Sequence, residues 1–228
     1  MRYFVLNSGG ADSTTALALA IEKYGYDVVE TVSVYYGQRH SKELDCAQAI
    51  ADYYGVPHST LDFSEVYKSL ENPLTGKGTV PSESYDAQTD GVHPVVTYIP
   101  FRNGLFLSAI TAFALSRCDD EVTVVLGNHS DDIAGCAYPD CGEDFIEAMS
   151  EAVFVGSGSR ASLWCPFTAY YKKDIIAEGL RLGVPYQLTW SCYNGREKAC
   201  GVCGTCRDRQ KAFHANGVED PIEYEVRL

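Results

Sequence analysis

The sequence predicts an α/β fold: a doubly wound parallel sheet with a small cysteine-rich module near its C-terminus. Three observations carry this. Residues 3–6 form a short continuous apolar run, as in a strand covered on both faces. Strand-like and helix-like segments then alternate, which implies parallel strands joined by right-handed crossovers. Cys192, Cys200, Cys203 and Cys206 crowd into a short stretch near the end of the chain.

Each element follows from local pattern. After the first strand comes a Gly9-Gly10 turn, then Leu17, Ala20, Ile21 and Tyr24 at helical spacing, with Gly25 to end that helix. Residues 28–35 are rich in β-branched side chains and read as a second strand; residues 43–54 read as a second helix, ended by Gly55. Residues 68–97 hold Pro73, Gly76, Gly78, Pro81, Gly91 and Pro94 without periodicity. They read as a long loop, either a lid or a disordered surface insert. Helix 103–118, strand 121–126 ended by Gly127, helices 143–153 and 171–182, and a short helix over 207–215 complete the pattern. Residues 1–228 are expected to form a single domain that includes a metal-binding segment at about 187–210.

Composition narrows the function classes. The chain has 228 residues, 46% of them hydrophobic, enough for a core without a disulfide framework. Its formal charge of −13 disfavours a nucleic-acid partner, which needs a concentrated positive surface. No apolar run reaches membrane-spanning length, and no secretory leader precedes the first strand, so a cytoplasmic address is expected. Nine cysteines, unevenly spread, read as one metal site plus free thiols.

Two motifs carry chemistry. The segment Asn7-Ser8-Gly9-Gly10-Ala11-Asp12-Ser13-Thr14-Thr15, continuing into Ala16 and Leu17, joins the first strand to the first helix. Its glycines allow close backbone approach, and the helix N-terminus suits phosphate. Ser8, Ser13 and Thr14 add hydroxyl donors, and Asp12 can hold magnesium or cap the helix. The segment is neither a Gly-Lys-Ser/Thr phosphate loop nor a G-x-G-x-x-G fingerprint. It is similar to the S-G-G-x-D-S loop of ATP pyrophosphatases, which cleave between the α- and β-phosphates. The second motif is C-x7-C-x2-C-x2-C, from Cys192 to Cys206, whose Gly201 and Gly204 permit a tight knuckle. Four thiolates favour a closed structural zinc site. An iron–sulfur cluster uses similar spacing, and free thiols are the remaining reading.

Further segments extend the picture. They are Tyr36-Gly37-Gln38-Arg39-His40 with Glu43, Pro100-Phe101-Arg102-Asn103, Gly127 with Asp131 and Asp132, and Tyr138-Pro139-Asp140-Cys141. Pro166 with Lys172, Asp174 and Ile175 follows, then Thr189-Trp190-Ser191-Cys192-Tyr193 with Gly195, and Asp220-Pro221 with Tyr224. With both motifs, these make the chain resemble the 7-cyano-7-deazaguanine synthase (QueC) family, within the PP-loop, Rossmann-like (HUP-type) superfamily. The resemblance spans nearly all of the chain except residues 68–97.

The resemblance implies conversion of 7-carboxy-7-deazaguanine, ammonia and ATP to the nitrile in queuosine biosynthesis, by a homodimer using ATP, Mg2+ and one Zn2+ per chain. Residues 7–17 are then expected to hold ATP, with Asp12, Ser13, Lys172 and Arg102 in catalysis. Arg39, His40, Arg102, Asn103, Asp131, Asp132, Tyr138 and Asp140 are expected to hold the substrate. Plainer roles stand beside these: a solvent-facing Lys172, ion pairs of Arg39 or Arg102 with Glu43 or another acid, turn or cap roles for the aspartates, and a packed His40. Gly142 departs from the family, where an arginine follows Y-P-D-C; Arg160 or Arg196 is the expected replacement. Cys141, beside it, is expected to be a buried structural thiol. The pattern also admits a ligase that passes the activated acid to a protein amine, a PP-loop enzyme that modifies tRNA, or a nucleotide sensor without turnover.

Overall fold

The computed structural model describes residues 1–39 and 42–228. Five strands form one parallel sheet: β1 (Arg2–Leu6), β2 (Val29–Tyr35), β3 (His58–Asp62), β4 (Val122–Val125) and β5 (Ala161–Trp164), in the order β3-β2-β1-β4-β5. The register sets Val5 beside Thr31 on one side and Val125 on the other. Among the described residues seven α-helices accompany it: α1 (Ala11–Tyr24), α2 (Lys42–Tyr54), α3 (Tyr85–Gln88), α4 (Arg102–Arg117), α5 (Glu143–Gly156), α6 (Lys172–Arg181) and α7 (Gly204–Ala215).

The alternation of side chains along β1 explains its continuous apolar run. Tyr3 and Val5 pack with Leu17, Ile21, Ile50 and Ile175, from α1, α2 and α6. Phe4 and Leu6 point the other way, onto Leu107 and Ile110 of α4 and Ile146 of α5. A strand buried on both faces needs apolar residues at every position.

β3 and β5 are the strands that the sequence pattern misses, and the short α3 lies within the segment read as a loop. Both strands lie at the edges of the sheet and are only partly buried, so neither shows an apolar run. Backbone pairing to β2 and β4 holds them in place. The loop at 68–97 is packed rather than loose. Asn72 is buried and donates to the carbonyls of Val96 (3.0 Å) and Tyr98 (2.9 Å). Leu74 accepts the backbone N–H of Arg39 at 2.8 Å.

The strand order reverses between β1 and β4. In open parallel sheets, that is where a crevice forms beyond the carboxyl ends of the strands. The segments after β1 and β4 meet there. A Cβ on Gly127 would lie 3.0 Å from the carbonyl oxygen of Asp12, so any larger residue would have to push the two segments apart by a few tenths of an ångström.

Candidate active site

One cavity opens at this crevice, with the glycine loop at one end and Arg102 at the other. At the loop end, Asn7 ties the turn down: its side chain donates to Ala47 O (3.0 Å) and accepts from Gly9 N–H (3.0 Å). Gly9 has φ +76°, and a Cβ there would sit 2.2 Å from the carbonyl oxygen of Glu43, which leaves no room for another residue. Ser8 and Ser13 hydroxyls lie 3.0 Å apart, and Thr14 Oγ1 donates to Gly10 O at 2.7 Å. The first turn of α1 has no side-chain cap, so its N–H groups are left for an anion.

Asp12 pairs with Lys172 at the start of α6. Burial pushes the Asp12 carboxyl up, but Lys172 and His129 outweigh it and hold it below the usual carboxylate range. The second oxygen of Asp12, Oδ1, is buried without a hydrogen-bond partner among the described residues. An orphaned carboxylate oxygen beside an uncapped helix start fits a magnesium–phosphate pair: Asp12 would hold the ion, and residues 8–14 with Lys172 the phosphates. His129 was not singled out by the sequence, having no motif around it. It is buried, with Nε2 3.7 Å from Asp12 and 3.6 Å from Asp132.

The other end is assembled from distant segments. Phe101 adopts a left-handed backbone (φ 55°) that starts α4 and presents Arg102 to the cavity. Gly104 makes room for the Phe101 ring, whose atoms would lie 2.4 Å from a Cβ there. The Arg102 guanidinium sits 5.5 Å over the Tyr36 ring and donates weakly to its hydroxyl at 3.5 Å. Three tyrosine hydroxyls meet nearby: Tyr85 from the 68–97 loop, Tyr138, and Tyr193 beside the cysteines, at 3.2, 3.2 and 3.4 Å. Burial pushes all three phenols up, so they act as neutral donors. Glu43, in the first turn of α2, also lines the cavity; burial pushes its carboxyl up to about 7 against the pull of Arg102.

The remaining expected residues divide. Asn103, Asp132 and Tyr138 line the cavity, as do Ser8, Gly10 and Ser13. Ala11, Thr15, Ala16 and Leu17 do not: they are buried in the helical layer, where Thr15 bonds Ala11 O and the Tyr186 hydroxyl. Arg39 is exposed and does not line the cavity, and no ion pair joins it to Glu43 among the described residues. Asp131 caps α6 by accepting Lys172 N–H at 2.7 Å, and Asp140 caps α4 by accepting Asn103 N–H at 2.9 Å. Both aspartates serve helix starts rather than the cavity wall. His40 lies outside the described residues. Neither Arg160 nor Arg196 replaces the arginine absent at Gly142. Arg160 bonds Cys118 O at the amino ends of the strands, and Arg196 pairs with Glu225 on the surface. The Cys141 thiol is buried, accepts from Asn103 at 3.1 Å and is pushed well above its usual range, which marks it as a packed thiol.

The four clustered cysteines fit a metal. All are buried, and their sulfurs lie within 4.8 Å of one another. A tetrahedral zinc with bonds of about 2.3 Å needs sulfurs roughly 3.8 Å apart; Cys200 and Cys206 stand at 4.0 Å. Backbone N–H groups of Asn194 and Cys200 point at the Cys192 sulfur (3.4 and 3.3 Å), as befits a thiolate ligand.

This module reaches both ends of the cavity. Trp190 N–H donates to Gly9 O at 2.8 Å, and Lys42 sits 3.5 Å over the Trp190 ring. Ser191, next in the chain, is held by Arg209, which donates to its hydroxyl at 3.2 Å. Arg209 is fully buried, donates to Asp220 at 2.6 and 3.0 Å and also holds Thr189 at 2.7 Å. Tyr224 completes that network through Asp220. Asp220 and Tyr224 therefore act by fixing the backbone that carries Trp190 and Ser191.

Comparison with known proteins agrees with this arrangement. The family described as "Queuosine biosynthesis protein QueC" matches residues 2–217. A 7-cyano-7-deazaguanine synthase of Caldicellulosiruptor saccharolyticus is 41% identical over 228 residues, covering 100% of this chain and 97% of the relative. Its namesake in Methanoculleus marisnigri is 44% identical (96% and 97%), and that of Thermoplasma acidophilum 42% (97% and 91%). Among solved structures, NMN synthetase from Francisella tularensis shares the fold, with a TM-score of 0.51 at 14% identity over 96% of this chain and 78% of that one. The chain belongs to the QueC family of queuosine biosynthesis proteins.

Proposed function

We propose that this chain is an ATP-dependent carbon–nitrogen ligase that makes 7-cyano-7-deazaguanine from 7-carboxy-7-deazaguanine and ammonia. The observation that carries the reading is the single cavity with an anion-ready loop at one end and a cationic, hydroxyl-lined recess at the other. Relatives at about 40% identity bearing the synthase name support it.

The chemistry requires the carboxylate to lose oxygen twice. ATP supplies the phosphorus that turns each oxygen into a leaving group: first the acid oxygen, before attack by ammonia, then the oxygen of the resulting amide. Loss of the second leaving group together with the remaining N–H protons gives the nitrile. Both activations are attack of a carbonyl-type oxygen on phosphorus, so one site serves both. Lys172 stabilises charge on the phosphates as the bond breaks, while Asp12 holds Lys172 in place and would hold magnesium through its other oxygen. The pyrophosphatase-type loop favours release of AMP. Arg102 neutralises the substrate acid as it approaches, and Asn103, Asp132 and Tyr138 border its pocket.

The four cysteines would hold a zinc ion in a structural role, since four thiolates supply a full set of ligands. We assign the protein to the cytoplasm and to a homodimer, with small molecules rather than nucleic acid as partners; among the described residues no helix is long and apolar enough to cross a membrane. The test is to incubate the purified protein with ATP, magnesium, 7-carboxy-7-deazaguanine and ammonium, and to read the products by mass spectrometry. The nitrile is expected. Consumption of ATP with only the adenylate or amide appearing would point to a different acceptor, and no consumption of the acid would overturn the reading.

A further inference from the structure

Two opposite charges face the same cavity without meeting. The Arg102 guanidinium makes no ion pair with any described carboxylate, and among the described residues its one hydrogen bond is the long one to the Tyr36 hydroxyl. Glu43 makes neither a hydrogen bond nor an ion pair among the described residues. The neighbouring acids are all engaged: Asp12 with Lys172, Asp132 with His129 N–H at 3.2 Å, and Asp140 with Asn103 N–H. Leaving polar groups half-buried and unpaired is costly, so an unmatched guanidinium and carboxyl lining one cavity point to a ligand that pairs with both.

We propose that Glu43 and Arg102 together read the polar edge of the deazaguanine six-membered ring, with Arg102 donating to the ring oxo group and Glu43 accepting from the ring N–H and the exocyclic amino group. This rests on the functional reading above. That edge presents an acceptor followed by two donors, and a guanidinium followed by a carboxylate is its complement. The adenine edge of ATP offers one amino donor and one ring acceptor, which would leave a carboxylate oxygen unmatched. The same pair therefore separates the acid from the nucleotide that shares its cavity. The 7-carboxyl is the substituent next to the oxo group, so Arg102 lies beside it while the loop end remains open to the phosphates.

The test is a cycle of two proteins and two ligands. Affinities are measured by calorimetry, without ammonium, for the parent protein and Glu43→Gln. The ligands are 7-carboxy-7-deazaguanine and its analogue lacking the exocyclic amino group, and ATP binding is measured alongside. The parent protein is expected to prefer the amino-bearing ring by about 10–100-fold, as for a charged hydrogen bond. Glu43→Gln is expected to lose that preference with ATP affinity unchanged, and Glu43→Asp to keep part of it. Full discrimination retained in Glu43→Gln, equal binding of both ligands by the parent protein, or a defect confined to ATP would overturn the assignment. If the parent protein binds ATP but neither acid, the functional reading itself falls, and the role of Glu43 with it.

Discussion

At the loop end of the cavity the side chains come mainly from one stretch, residues 7–14, and most are already paired, Asn7 with Gly9, Ser8 with Ser13 and Asp12 with Lys172, which leaves Asp12 Oδ1 and the first N–H groups of α1 for a ligand. At the ring end they come from the starts of α2 and α4, the 68–97 loop and the cysteine module, and the two charges there are unpaired among the described residues. The difference follows from what each end has to recognise. Phosphate is met by backbone N–H groups, which a single turn supplies. A heterocycle with a specific edge needs side chains from several directions. Trp190 on Gly9 and Tyr193 on Tyr138 let the cysteine module touch both ends, as the start of α2 also does through Glu43.

That comparison can be broken most severely at the metal. Replacing Cys203 with Ser is expected to lose the zinc and cost on the order of 5 kcal/mol or more, disordering both ends together. Elemental analysis and thermal melting check this; a stable variant that still binds ATP would mean that the module does not brace the cavity. Gly9→Ala should strike the loop end alone. The required φ and the clash with Glu43 O are expected to cost about 2–4 kcal/mol and abolish ATP binding, read by melting and calorimetry.

Lys172→Ala sharpens the comparison from inside the loop end. It leaves Asp12 unpaired and is expected to lower kcat about 100–1000-fold with little change in affinity for the acid. The same pair has a pH signature. The carboxyl of Asp12 is held below its ordinary value in the folded protein, so its stabilisation is present above the unfolded value of about 4 and is lost as pH falls. Denaturation midpoints between pH 7 and pH 3 should fall less steeply in the Lys172 variant. The smallest effect is expected at the ring end: Tyr193→Phe removes one hydroxyl of three and should cost about 1 kcal/mol, seen as a modest rise in KM for the acid with ATP unaffected.

The same contrast explains what the sequence makes legible. Strands buried on both faces and helices with a clear apolar stripe announce themselves, whereas β3 and β5 are edge strands held by backbone pairing that side chains do not record. The loop residues and the metal cysteines sit in contiguous motifs whose spacing is itself the signal. Tyr85 and His129 carry no such spacing, because they meet their partners only after the chain has folded, while Glu43 and Tyr193 stand in motif segments that give no sign of facing the cavity. Arg39 illustrates the converse: it belongs to a motif, yet it is exposed and does not line the cavity, and Asp131 and Asp140 spend their carboxylates on helix starts.

The central claim is that one cavity activates the same bound ring twice. The most direct measurement is a reaction with isotopically labelled ammonium in which nitrile and AMP are both quantified. The account predicts labelled 7-cyano-7-deazaguanine with two AMP formed for each nitrile. Unlabelled product, or an amide that accumulates with one AMP and goes no further, would contradict it.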